Sequence, residues 1–149
     1  MSSLLVTTSL KASRETKKFS RNLAILFGAR FENRGRMDLE KLEKRMRSLG
    51  LQRLLVVKEK SFRSALLCFW EGKWLSPALE ISSENVSLLS SKELKELPRE
   101  FSISFPKGLE ILDFRESFGE KFEDEIKASK SKIGFFGLAE LKFKAVKVD

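Results

Sequence analysis

The chain opens with a block of apolar residues. Leu4-Leu5-Val6-Thr7-Thr8 is aliphatic and β-branched, and it predicts a short buried strand. Ser13 is placed to cap a helix running to about Phe27, with Gly28 closing it. Within that helix Phe19, Leu23, Leu26 and Phe27 repeat at i, i+4, i+7 and i+8, the spacing of a stripe facing a core. Arg14, Lys17, Lys18 and Arg21 fall on the opposite side, inside an arc of about 100° at helical spacing. Ala29–Asn33 follows as a strand, and Arg34-Gly35-Arg36 as a tight basic turn. Asp38 then caps a second helix whose apolar stripe is Leu39, Leu42, Met46 and Leu49, ended by Gly50. Arg53–Val57 reads as a third strand and Lys58–Arg63 as a charged connection. Ala65–Trp70 and Lys73–Ile81 read as a hairpin about Glu71-Gly72.

The remaining pattern is sparser. Ser91–Leu97 predicts a short helix before Pro98, and Leu109–Phe114 a strand. Ser117 is placed to cap a helix carrying Phe118, Phe122 and Ile126, and Ala139–Val148 alternates as a final strand. Ile111–Ile126 (strand, polar break, helix with Phe at i and i+4) echoes Val6–Leu23. The later helix bears Glu120, Glu123, Asp124 and Glu125 where the earlier one bears cations. A duplicated α/β unit with one copy made basic is the organisation this predicts. Residues 1–149 then form a single domain, with a basic half at 1–63 and a second half at 64–149.

Charge sharpens that division. The 149 residues carry a net charge of +8. Residues 1–63 hold 16 Lys and Arg against 6 Asp and Glu, a net of +10, while the remainder is at −2. An excess confined to one half implies a directed electrostatic surface and a polyanionic partner. Other chemistries are excluded. Histidine is absent, which removes His-based triads and His-ligated metals, and Cys68 is the only cysteine, so no disulfide or thiolate cluster forms within the chain. Cys68 sits among apolar residues and reads as a packed thiol. Gly134 and Gly137 lack the Lys and Ser/Thr of a phosphate-binding loop, so no nucleotide cofactor or small-molecule substrate is expected. The first eight residues are too short and polar for a signal peptide, and no run approaches a membrane span. A soluble, cytoplasmic, nonenzymatic protein is the expectation.

The candidate binding residues are therefore cations. The plainest reading of a charged helix side is solvation. Glu15 is the only acid on the first helix, however, so pairing at i,i+4 does not account for Arg14, Lys17, Lys18 and Arg21. With Lys11 just before it, this face can neutralise several phosphates. Arg34 and Arg36 flank a glycine turn and have the forked geometry suited to phosphate oxygens; Arg30 and Arg63 complete a possible second patch. Lys41, Lys44 and Arg45 are offset by Glu40 and Glu43 and read as solvated ion pairs. The 13 Phe and two Trp mostly fall at core spacings, leaving Phe62, between Lys60 and Arg63, as the one stacking candidate. Shape and phosphate recognition is expected rather than base-by-base readout. Glu123, Asp124 and Glu125 are consecutive and point different ways on a helix. They suit solvent or a basic protein partner better than a metal.

Three segments carry a resemblance. Val6-Thr7-Thr8-Ser9 with Ser13, Thr16-Lys17-Lys18-Phe19 and Leu23 resembles the opening of the Brix-domain family: a strand ending Thr-Thr-Ser-Arg, then a basic helix with a Thr-Arg-Arg-Phe-like core. Phe31-Glu32-Asn33-Arg34-Gly35 is similar to its Asn-Arg-Gly turn before a Leu-rich helix, and Leu54-Leu55-Val56-Val57-Lys58-Glu59 to the strand closing the first unit. The matches fall in order over roughly 60 residues. Leu10, Ala12 and Glu15 depart from the family's usual Arg, Pro and basic residue. Ser61-Phe62-Arg63 replaces its Gly-Asn-Pro-like stretch, and its Gly-Pro-Thr-like turn is not recognisable near Trp74–Pro77. The resemblance implies an archaeal-type ribosome-biogenesis protein with two similar α/β halves, each like the anticodon-binding domains of some aminoacyl-tRNA synthetases, with mixed sheets and packed helices. It also implies no enzymatic activity, binding to precursor ribosomal RNA, and assistance in pairing that RNA with guide RNA or other assembly proteins. The competing expectation is a protein-interaction module whose basic half docks on an acidic partner.

Overall fold

Strand β1 (Leu4–Thr8) is enclosed along its whole length, with none of its five residues more than 1% exposed. In the computed structural model, residues 3–61, 64–82, 103–104, 126–128, 132–135 and 139–147 are described. β1 pairs in parallel with β2 (Arg30–Phe31) on one side and with β3 (Arg53–Ser61) on the other. Helix α1 (Arg14–Phe27) links β1 to β2, and α2 (Leu39–Ser48) links β2 back past β1 to β3. The two crossovers step in opposite directions across the sheet. Crossovers of one hand then place their helices on opposite faces, and the core divides accordingly. Leu23, Leu26 and Phe27 of α1 pack with Leu4, Val6, Leu55 and Val57. Leu42 and Met46 of α2 pack with Leu5 and Leu54. A strand covered on both sides has no polar face, hence the unbroken apolar run.

β4 (Ser64–Trp70) pairs antiparallel with β3, β5 (Ala78–Ser82) with β4, and β10 (Lys144–Val146) with β5, giving a mixed sheet ordered β10-β5-β4-β3-β1-β2. Beyond β5, β6 (Ile103–Ser104), β7 (Ile126–Ala128), β8 (Lys132–Phe135) and β9 (Ala139–Lys142) form a second mixed sheet. Its pairings run parallel, antiparallel, antiparallel, the same succession as β1-β3-β4-β5.

Several sequence expectations are corrected. β3 does not stop at Val57 but continues to Ser61, because Lys58, Glu59 and Lys60 each have a partner. Lys58 lies over the Trp74 ring at 4.4 Å, Glu59 reaches the start of α1, and Lys60 pairs with Glu80 at 3.0 Å. The Ala29–Asn33 strand shortens to Arg30–Phe31. The hairpin forms, but its second strand starts at Ala78. Between the two strands Trp74 makes an isolated antiparallel bridge with Trp70, whose ring it meets edge-on, and the Leu75 amide donates to the Phe69 carbonyl at 2.8 Å. The alternating tail is two strands in different sheets, broken at Phe143, which is 6% exposed in the core beneath α1. Ile126 begins a strand rather than continuing a helix. The expected elements at 91–97, 109–114 and 117–125 lie outside the described residues.

Two predictions follow from this packing. Phe143→Ala removes a ring from the first core and the anchor of β10, and should cost about 3 kcal/mol. Chemical denaturation would measure it, and a loss under about 1 kcal/mol would show that the ring is dispensable. Thr7→Val should instead stabilise by about 1 kcal/mol, because the Thr7 hydroxyl is buried with no hydrogen-bond partner. A lowered melting temperature would refute that.

Candidate nucleic-acid interface

Helix α1 is fixed at both ends. Ser13 Oγ accepts from the Thr16 amide at 3.3 Å, a normal N-cap. The Glu59 carboxylate then accepts from the Ser13 amide and from the Thr16 hydroxyl, both at 2.6 Å, tying the helix start to the end of β3. At the other end Gly28 adopts φ 66°, letting the Ala29 amide reach back to the Ala24 carbonyl at 2.8 Å. The helix cannot roll, since Leu23, Ala24, Leu26 and Phe27 are buried. Arg14, Lys17, Lys18 and Arg21 are therefore directed outward, and all four are exposed. Arg14, Lys18 and Arg21 stand at i, i+4 and i+7, spanning about 10 Å of helix rise.

Lys11, also exposed, sits in the turn before the helix at φ 57°, the left-handed region. Among the described residues no carboxylate lies within 4.0 Å of Lys11, Arg14, Lys17 or Lys18. Arg21 is held over the Phe31 ring, 5.4 Å from its centroid. All five are exposed, four on the outward face of α1 and Lys11 in the turn that leads into it.

The second patch divides. Arg34 is a fastener: its Nε donates to the Met37 carbonyl at 2.6 Å and its Nη1 to the Thr8 carbonyl at 3.1 Å. Burial lowers its guanidinium pKa from the ordinary arginine value. Arg30 pairs with Glu32 at 3.3 Å, and Glu32 also binds Arg45 of α2 at 2.9 Å, so this pair faces the α2 side of the sheet. Strand alternation puts Phe31 on the α1 side. Arg36 is exposed in its turn, beyond the carboxyl end of β2, while Lys11 and Arg14 lie beyond the carboxyl end of parallel β1. It thus shares an end of the sheet with the start of α1. Arg63 and Phe62 lie outside the described residues.

Three of the four cations of α2 are ion-paired, though not always by the expected acid, and Lys41 has no carboxylate within 4.0 Å among the described residues. Lys44 pairs with Glu40 at 3.7 Å and Arg47 with Glu43 at 2.7 Å, while Arg45 takes Glu32. Glu59 was not singled out by sequence reasoning, and the signal was period-two alternation. Leu55, Val57 and Glu59 share the face beneath α1, which becomes visible only if the strand is extended past Val57. Glu59 takes the Ser13 amide and the Thr16 hydroxyl, which sets a negative charge beside the N-terminus of α1 and opposes an anion approaching there. Burial raises the Cys68 thiol pKa and keeps it inert.

The arrangement is that of an α+β protein with two mixed sheets and a basic helix face whose cations have no carboxylate partner among the described residues. The sequence matches no protein-family model, and no curated protein is significantly similar to it. Solved structures do share its fold. Mil, an archaeal Imp4-like protein, has a TM-score of 0.62 and 22% sequence identity, with 97% of each chain covered. A probable ribosomal biogenesis protein from Aeropyrum pernix K1 has a TM-score of 0.62 and 18% identity, covering 98% of this chain and 97% of that one.

The Glu59 contact predicts a pH dependence. Hydrogen bonds from Ser13 and Thr16 hold the Glu59 carboxyl below the ordinary carboxylate range, and the Arg45 contact does the same for Glu32. A lowered folded-state pKa contributes stability that is complete above the unfolded value, about 4.3, and is lost as pH falls through the folded value. Glu59→Gln should leave α1 formed at pH 7 yet flatten the acid limb of a stability–pH curve. Glu32→Gln should flatten it separately. An acid limb unchanged in both variants would exclude these carboxylates as its source.

Proposed function

We propose that this chain is a nonenzymatic ribosome-assembly factor that holds precursor ribosomal RNA on the outward face of α1. The observation carrying this reading is the set of exposed cations that have no carboxylate partner among the described residues, Lys11, Arg14, Lys17 and Lys18, beside an α2 in which Lys44, Arg45 and Arg47 are ion-paired. The fold shared with an archaeal Imp4-like protein and a probable ribosomal biogenesis protein supplies the biological setting. The resemblance of the basic helix and Asn-Arg-Gly turn to the Brix-domain family points the same way, and the repeated strand pairing supports two related halves. Lysine and arginine on one helix face bind phosphates by displacing condensed counterions, which gives affinity without sequence discrimination. Arg36 extends that surface around the carboxyl end of the sheet. Arg34 supports it from beneath by holding the turn to β1. Pairing of the bound RNA with guide RNA, or docking of other assembly proteins, would use surfaces beyond this face.

Two matched triple substitutions test the site. Changing Lys17, Lys18 and Arg21 to Ala should lower affinity for structured ribosomal RNA across sequences and reduce the log–log salt slope by roughly 2 if all three contact single-strand phosphates. Stability should fall by about 1 kcal/mol or less, chiefly from the lost Arg21–Phe31 contact. The control changes Lys41, Lys44 and Arg47, which removes the same charge from α2 and spares the Arg45–Glu32 link to β2. Equal losses in both would assign binding to net charge alone. Displacement of the RNA by polyglutamate at equal charge concentration would favour an acidic protein partner instead.

A further inference from the structure

Strands β1 and β2 are parallel neighbours, yet the chain leaves them toward opposite faces of the sheet. Residues 9–13 lead from β1 to α1 on one face, and residues 32–38 lead from β2 to α2 on the other. Loops that diverge in this way leave a crevice beyond the carboxyl ends of their strands, the place where open α/β sheets receive ligands. Arg34 spans its base. The side chain donates to the Met37 carbonyl at 2.6 Å and across to the Thr8 carbonyl at 3.1 Å, so the two loops are fixed to each other. Both acceptors are neutral. The arginine is half-buried, and among the described residues no carboxylate lies within 4.0 Å of it. The two acids of its own loop are engaged elsewhere: Glu32 binds Arg30 and Arg45, and Asp38 accepts the Lys41 amide at 2.9 Å. Asp38 acts on Arg34 only from beyond ion-pair distance. A cation drawn partly out of water with no counter-charge beside it favours an anion that completes the site.

Two further cations belong to the same loops. Lys11, at φ 57°, is the one non-glycine residue with positive φ among those described, and Arg36 follows Gly35 at φ 56°. Both are exposed, and neither has a carboxylate within 4.0 Å among the described residues. A lysine keeps left-handed backbone only where the surrounding turn holds it. The nearby acid Glu59 belongs to β3, which lies on the other side of β1 from β2. An anion is therefore repelled on the β3 side of the β1–α1 loop and attracted on the β2 side, where Arg34 and Arg36 are.

Resting on the RNA-binding reading above, we propose that this crevice is a discrete site for one backbone phosphate, held jointly by Lys11 and Arg36 over the fixed charge of Arg34. A tetrahedral phosphate presents oxygens to both loops at once, whereas a planar carboxylate pairs best with a single guanidinium fork. The outward face of α1 then meets neighbouring phosphates by charge, while the crevice fixes where the strand sits on the protein. Arg34 is a positioning residue: carbonyls take its hydrogen bonds, and it sets the separation of the two loops.

The test is a double-mutant cycle on the full chain, using an oligouridylate with hydroxyl ends, so that every phosphate is a backbone diester. Lys11→Ala and Arg36→Ala should each weaken binding about fivefold or more. Together they should cost much less than the product of the two losses, because either change already frees the shared phosphate. The double variant should lower the log–log salt slope by about 0.7, the value for one single-strand phosphate. Lys18→Ala, on the helix face, should instead combine multiplicatively with Arg36→Ala. In the Arg34→Ala background the coupling between Lys11 and Arg36 should disappear, an effect that lost stability alone does not produce. The first cycle stands whether or not that background folds. Inorganic phosphate titrated into labelled protein should move the amides of residues 10–12 and 34–37 saturably in the parent and not in the double variant. Multiplicative losses at Lys11 and Arg36 with a slope change near 1.4, about two phosphates, would overturn the shared site and leave RNA binding intact. Failure of the parent to bind the oligouridylate would overturn the RNA-binding reading, and the site with it.

Discussion

The first sheet depends on one constraint: β1 must be covered on both faces. Five successive residues that are at most 1% exposed leave no solvent side, so a helix is required above and another below. The chain meets this by stepping from β1 to β2 and back across to β3, which sets α1 and α2 on opposite sides. Alternation then carries the division outward through Leu55 and Val57 beneath α1 and Leu54 above α2. It also places Glu59 where it can bind the start of α1. Rotation of α1 about its axis is thus determined twice, by a buried stripe and by a carboxylate at its end.

Much of this is visible in the sequence because it is local. Ser13 and Asp38 cap as their types predict, Gly28 and Gly50 close the helices with positive φ, and the stripes of both helices face the core. What is not visible depends on partners distant in the chain. Lys58, Glu59 and Lys60 look like a charged connection until Trp74, Ser13 and Glu80 are brought beside them. Arg34 looks like a phosphate ligand until two carbonyls, one of them 26 residues away at Thr8, take its donors. In each case a charged residue on its own carries no mark of whether it faces solvent or a partner.

The end of the chain shows a related limit. Lys142 and Lys144 belong to strands in different sheets, yet the residues between Ala139 and Val146 alternate without interruption. Phe143 makes the change: its ring enters the first core, so the strand after it pairs with β5 while the strand before it stays with β8. The pairing succession shared by the two sheets is therefore joined by a swap at its end, in which the last strand completes the first sheet. Period-two patterning reports which side a residue faces, not which sheet it joins.

The exposed basic face follows from the same constraint. Because α1 is held by its buried stripe and by Glu59, its exposed Arg14, Lys17 and Lys18 make no ion pair among the described residues, whereas Lys44, Arg45 and Arg47 of α2 pair within their own helix or with β2's neighbour Glu32. Surface ion pairs contribute little individually, so α1 loses little stability by lacking them. It keeps instead an unbalanced charge that a polyanion can neutralise.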